Sequence, residues 1–133
     1  MNTDEQAIRD VVDTWHEATA AGDLSRILPL MAEDVVFLGA GRPPMRGRRA
    51  FEDGLRALLS HSRIGSTGKV REIAVCGDLA YCWSDLSVRI TPIAGGAAVR
   101  LAGPVLTILR QQEGRWVVVR DANMLAPDPE RMP

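Results

Sequence analysis

Near the start of the chain, apolar residues recur at helical spacing. Ile8, Val11, Val12, Trp15 and Thr19 fall on one face of a stretch running from Asp4 to Ala21, the rhythm of an amphipathic helix. Thr3 followed by Gln6 forms a capping-box pattern at its start, and Gly22 suits the left-handed position after its last turn. Asp23 then heads a short second helix with Leu24, Ile27, Leu28 and Met31 on its buried side, and Pro29 predicts an irregularity there. Val35 to Leu38 reads as a strand, and Gly39 to Pro44 as a loop. A third helix is predicted from Arg48 to His61, with Phe51, Leu55, Leu58 and Leu59 at core spacing.

Beyond His61 the period changes from helical to strand-like. Lys69 to Cys76, Ala80 to Thr91, Ala98 to Gln111 and Trp116 to Leu125 predict four long strands. Turns separate them at Gly77-Asp78, Pro92 to Ala97 and Glu113-Gly114. Ala126 to Pro133 is proline-rich and is expected to fray as a short flexible tail. Helices first and antiparallel strands afterwards predict an α+β domain. With 133 residues and no internal repeat or linker, residues 1–133 form one domain.

Composition narrows the picture mainly by exclusion. A net charge of −1 gives no footprint for nucleic acid or an anionic membrane. Apolar runs are too short and too interrupted by charge to span a bilayer, and the acidic start carries no secretory h-region. A cytoplasmic location is expected. Cys76 and Cys82 fit neither a redox nor a zinc spacing and are expected to be buried free thiols. His16 and His61 lie on different predicted helices, so no metal-ligand cluster is predicted. His16 sits one position off the apolar stripe, which predicts a partly exposed surface residue, and His61 would favour a helix C-terminus. No phosphate loop or nucleophile elbow is present. No cofactor and no metal are expected.

The order of these segments carries a resemblance. The run Ala21-Gly22-Asp23-Leu24, then Ala32-Glu33-Asp34-Val35-Val36-Phe37, and the closing strands Val105 to Arg110 and Trp116 to Asn123 are similar to the NTF2-like superfamily. Within it the chain resembles the SnoaL-like branch that includes the SgcJ/EcaC group and DUF4440 domains. The resemblance implies a cone: three N-terminal helices packed on a strongly curved, mainly antiparallel sheet, with a pocket between them.

The chain also resembles ketosteroid isomerases of that superfamily, and the departures are informative. Pro43-Pro44-Met45-Arg46-Gly47 keeps the Pro-Pro-x-x-Gly ending of their active-site loop. Their aspartate base corresponds to Leu38 or Gly39, their oxyanion-hole tyrosine to Trp15, and their protonated aspartate to Thr107. Leu38 and Gly39 cannot take a proton, and an indole donates without acting as an acid. Isomerisation by that mechanism is therefore not expected.

Side chains alternate along a strand, so each strand offers two registers. On the strand from Ala80, one register holds Tyr81, Trp83, Asp85, Ser87 and Arg89, a mix that suits a small-molecule site. The other holds Ala80, Cys82, Ser84, Leu86, Val88 and Ile90 and suits ordinary packing. Alignment with the isomerases turns Tyr81 and Trp83 inward; the competing reading has that register facing solvent or a partner. The same alignment turns Trp116, Val118, Arg120, Ala122 and Met124 inward, with Val105, Thr107 and Leu109 on the preceding strand.

Arg120 among apolar residues would need a partner, and Asp85 on a neighbouring strand is the candidate; an outer-face pair with Asp121 is the alternative. Asp85 and Arg120 are thus the expected catalytic pair, with Trp15, Leu38, Tyr81, Trp83, Thr107, Trp116 and Met124 binding substrate. The expected function is small-molecule binding with cofactor-free acid/base chemistry of cyclase, isomerase or hydratase type on a partly apolar organic substrate. The alternative is a non-catalytic ligand-binding or association module. Either way, outer residues such as Val117 and Val119 predict a homodimer through the outer sheet face.

Overall fold

The computed structural model describes residues 3–128. Helix α1 (Thr3–Ala21) forms where the apolar spacing predicts it and encloses Ile8 and Ala18 on its inner side. Helix α2 (Leu24–Ile27) gives way to a 3₁₀ turn at Leu28–Leu30, where Pro29 has no amide to continue an α-helical ladder. Then follow β1 (Met31–Gly39), β2 (Met45–Arg46), α3 (Arg48–Leu59), β3 (Ser62–Cys76), β4 (Leu79–Pro92), β5 (Val99–Gln112), β6 (Arg115–Asn123) and β7 (Ala126–Pro127).

Strand β3 begins well before the expected Lys69. The run Gly65-Ser66-Thr67-Gly68 is made of turn formers, yet it pairs residue by residue with β4. Pairing with a long neighbour overrides weak local propensity here.

Among the described residues the strands form one sheet in the order β2-β1-β6-β5-β4-β3, with β7 pairing β5. Only the β1–β6 contact is parallel; the other pairings are antiparallel. The helices and the sheet's inner face enclose Ile8, Ile27, Met31, Val35, Leu109, Trp116 and Val118. Each fully buried aliphatic side chain contributes roughly 1.5–3 kcal/mol. This is the α+β cone that the sequence predicts.

Register shifts shape the sheet, and two of them decide where candidate site residues lie. The β3–β4 register shifts between Val70 and Glu72, leaving Arg71 as the extra residue. The β5–β6 register shifts so that Val118 pairs with Leu109 but Arg120 pairs with Ile108, leaving Val119 extra. A bulge bends its strand and reverses which side chains face inward beyond it. Trp116 and Val118 face the core, as expected, but past Val119 the inward positions are Asp121 and Asn123.

Other expectations are corrected at the edges. The segment from Ala126 does not fray at its start: β7 pairs with Leu101 and Ala102, and the Asp128 amide donates to the Arg100 carbonyl at 3.1 Å. Gly103 permits this return, because a Cβ there would collide with the Met124 carbonyl. The rest of the expected tail lies outside the described residues. Val117 and Val119 are buried against Ala32 and Ile108 within the chain, so they do not await a partner. Cys82 is buried as expected, but Cys76 is exposed, and both are free. No helix among the described residues is long and apolar enough to cross a membrane.

Candidate functional site

A cavity of about 240 Å³ lies between α1, α3 and the inner face of the sheet. One wall is aromatic. Phe37 and Phe51 stack at 4.9 Å between centroids, and Trp15 meets Phe51 edge-on at 5.6 Å. Each comes from a different element (α1, β1 and α3), so the wall exists only in the folded chain. Val11, Val12 and Leu86 add further apolar lining.

Beside Phe37 the sheet floor of the cavity is polar, and sheet register builds it. Cys82, Thr107, Asp121 and Phe37 are successive partners across β4, β5, β6 and β1. The next row holds Ser84, Val105, Asn123 and Gly39. Thr107 Oγ1 donates to Asp121 Oδ1 at 2.8 Å, while Oδ2 has no hydrogen bond among the described residues.

As a residue Asp121 is only half-buried, but its carboxyl group lies within the cavity. Desolvation pushes its pKa from 3.8 up to about 6, and the Thr107 hydrogen bond acts in the opposite direction. A carboxyl tuned to that value is mostly ionised at neutral pH and still basic enough to accept a proton.

Two further polar side chains share the space. The Leu125 amide donates to Asn123 Oδ1 at 3.4 Å, which turns the amide so that Nδ2 remains as a donor. His16, expected at the surface, is half-buried and lines the cavity. Its Nδ1 shares a hydrogen bond with Ser66 Oγ at 2.7 Å. Burial lowers its pKa from 6.5, and Asp13 partly offsets this, so the ring is neutral at pH 7. A Cβ on Gly68 would lie 2.6 Å from His16 Nε2; the imidazole occupies space that only glycine leaves open. Among the described residues no lysine or arginine lines the cavity, and no three His, Cys, Asp or Glu side chains gather as a metal site.

Of the residues expected from sequence, the structure brings Trp15 and Thr107 to this cavity. The others lie elsewhere, chiefly because the β4 register is the reverse of the expected one. Ser84 and Leu86 face inward, whereas Trp83 is 42% exposed and Tyr81 donates to Glu72. Asp85 pairs with Arg71, the residue that the β3 bulge adds. Arg120 is exposed and donates to the carbonyls of Asp34 and Val119. Asp85 stands opposite Pro104 and Arg120 opposite Ile108, so the expected Asp85–Arg120 pair does not form.

Leu38 and Met124 are exposed. Trp116 is buried in the core, where its indole donates to Asp4 at 3.2 Å. The sequence reading missed Asp121, Asn123, Phe37 and Phe51 as site residues. The available signal was Thr107: a polar residue on an inward register needs a partner from the facing strand.

A family model described as SnoaL-like domain matches residues 12–119. A conserved protein from Planctomyces limnophilus superposes with a TM-score of 0.90 at 36% identity, over 94% of this chain and 98% of that one. A ketosteroid isomerase-like protein from Erwinia carotovora atroseptica superposes with a TM-score of 0.79 at 20% identity, over 94% and 98%. A hexachlorocyclohexane dehydrochlorinase from Novosphingobium barchaimii gives 0.79 at 14% identity, over 95% and 90%. The last two likenesses concern the fold. No curated protein matches the sequence significantly.

Proposed function

We propose, for a chain that belongs to the SnoaL-like domain family, that the cavity binds a small organic molecule and performs proton transfer at carbon without a cofactor. The finer placement beside the SgcJ/EcaC and DUF4440 groups rests on sequence resemblance alone. The carrying observation is Asp121, a carboxyl desolvated to a pKa of about 6 inside a cavity with an aromatic wall.

In this reading Asp121 is the general base. Its carboxylate takes a proton from the carbon α to a carbonyl-type group, a carbon–carbon double bond forms, and the carbonyl electron pair moves onto its oxygen. Asn123 Nδ2 donates to the developing negative charge, as an oxyanion-hole amide does. The protonated Asp121 returns the proton to the same or an adjacent carbon. Thr107 is a positioning residue that fixes the carboxyl rotamer through Oδ1. Proton abstraction from carbon is common to isomerases, cyclases and eliminating enzymes, and the neighbouring folds bear names from the first and last of these.

Exchange of the α-hydrogens of a cyclic ketone in deuterated buffer, followed by NMR, tests the proposal. The protein is expected to accelerate exchange, and Asp121→Asn is expected to lower the rate by at least about a hundredfold with an unchanged circular dichroism spectrum. Undiminished exchange in the folded variant would rule out Asp121 as the base. Saturable binding without any exchange would instead favour the non-catalytic ligand-binding reading.

The homodimer belongs to the same proposal, with a different patch from the one expected. On the outer face Trp83, Leu106, Ala122 and Leu38 are successive partners across β4, β5, β6 and β1. Trp83, Leu106 and Leu38 are 42%, 39% and 43% exposed, an apolar row that suits a second copy.

A further inference from the structure

We infer that the cavity selects an uncharged, flat molecule of one or two rings that carries a hydrogen-bond-accepting oxygen, and that it rejects anions. This rests on the proposed reading of the cavity as the ligand site and adds the class of ligand.

Size sets the first limit. An apolar cavity of about 150 Å³ accommodates benzene, so 240 Å³ accommodates a bicyclic skeleton with a small substituent. A rigid tetracyclic skeleton exceeds it and would have to leave rings outside the cavity. Shape sets the second limit, since the stacked Phe37 and Phe51 with Trp15 edge-on offer a planar ring an offset-stacked or edge-to-face position.

Charge sets the third. The titratable groups lining the cavity are His16, from α1, and Asp121, from β6. Asp13 faces His16 and adds negative potential. Arg9 acts on the neighbouring Cys82, but it pairs with Glu5 at 3.5 Å and does not line the cavity. An anionic ligand would therefore enter a space that holds an ionised carboxylate and no cation, where like charge and desolvation both oppose it.

An ammonium ligand is favoured by Asp121 and the aromatic wall but leaves the polar floor unmatched. The Asn123 amide is oriented by the Leu125 amide so that Nδ2 must donate, and an ammonium has no lone pair to receive it. A carbonyl oxygen does. Ligands of the inferred class satisfy Asn123 without adding charge beside Asp121.

Isothermal titration calorimetry on the full chain tests this with β-tetralone, β-naphthoate, β-aminotetralin and a tetracyclic ketone. At about pH 7.5, β-tetralone is expected to bind at least about tenfold tighter than either charged analogue, a difference of about 1.4 kcal/mol. The tetracyclic ketone is expected to bind at least about tenfold more weakly than β-tetralone. Asp121→Asn is expected to narrow the gap between β-tetralone and β-naphthoate, because it removes the like charge.

β-Naphthoate binding as tightly as β-tetralone overturns the inference, as does tighter binding of β-aminotetralin. Failure of β-tetralone to bind, or binding of the tetracyclic ketone as tightly as β-tetralone, overturns it too. Calorimetry reads binding and not turnover. A wrong ligand class therefore shows itself here, while a wrong base shows itself in the exchange experiment.

Discussion

At the scale of single residues, Asp121 is held in a state the unfolded chain would not choose. Its carboxyl titrates near 6 in the folded protein, against 3.8 without the fold, because the cavity strips its hydration. The folded pKa lies above the unfolded one, so the stabilising effect is complete below about pH 4 and is lost as pH rises through about 6. Above that range the folded state carries a desolvated negative charge. Asp121→Asn removes the charge while its amide oxygen can still accept from Thr107. Near pH 4 the variant and the wild type should be about equally stable. Above about pH 7 the variant should be more stable by up to about 3 kcal/mol, at about 1.4 kcal/mol per pKa unit. Urea denaturation at a series of pH values measures this, and parallel stability curves across the whole range would contradict the tuned carboxyl. A gain in stability joined to a loss of exchange is what a residue retained for chemistry should show.

At the scale of elements, single-residue offsets decide what reaches the cavity. The helices and the order of the strands were readable because their apolar periods are strong. The inward residues of β6 were not. Counting back from the Glu113-Gly114 turn, Gln112 pairs with Arg115 and Leu109 with Val118. Continued without a bulge, that count sets Arg120 opposite Thr107. The extra residue at Val119 sets Asp121 there instead, and the site changes from a cation to a carboxylate. Nothing in Trp116-Val117-Val118-Val119 betrays the shift, because both faces of this stretch are buried and alternation is absent. On β4 the aromatic register looked like a pocket lining, but its aromatics lie on the outer face of the sheet. The approach of α1 to β3 is equally local, since His16 fits only over a residue without a Cβ. Gly68→Ala should push the imidazole away from the sheet, and the pKa of His16 should then rise toward its ordinary 6.5 as burial is relieved. NMR titration of the ring follows this directly; an unmoved titration in the variant would mean that the strand yields instead of the ring.

At the scale of the whole molecule, the sheet separates two apolar surfaces with different fates. Its inner face is covered by helices and encloses the cavity; its outer face carries the row from Trp83 through Leu106 and Ala122 to Leu38. A stable interface buries about 800 Å² per partner, and a row crossing four strands gives such a patch an apolar centre with Trp83 as an aromatic anchor. In a two-fold dimer each residue is used twice, so one charge placed in the row meets the partner surface in both copies. Sedimentation velocity at about 10 μM is expected to show a dimer for the wild type and a monomer for Leu106→Arg, with a fold-change in dissociation constant of at least about a hundred. A wild-type monomer at about 100 μM, well above the range of specific dimers, would remove the outer face as an interface. The cavity lies on the other face of the sheet, so Leu106→Arg should bind β-tetralone as the wild type does. Loss of that binding in a folded monomer would show that the cavity needs the second copy for its shape.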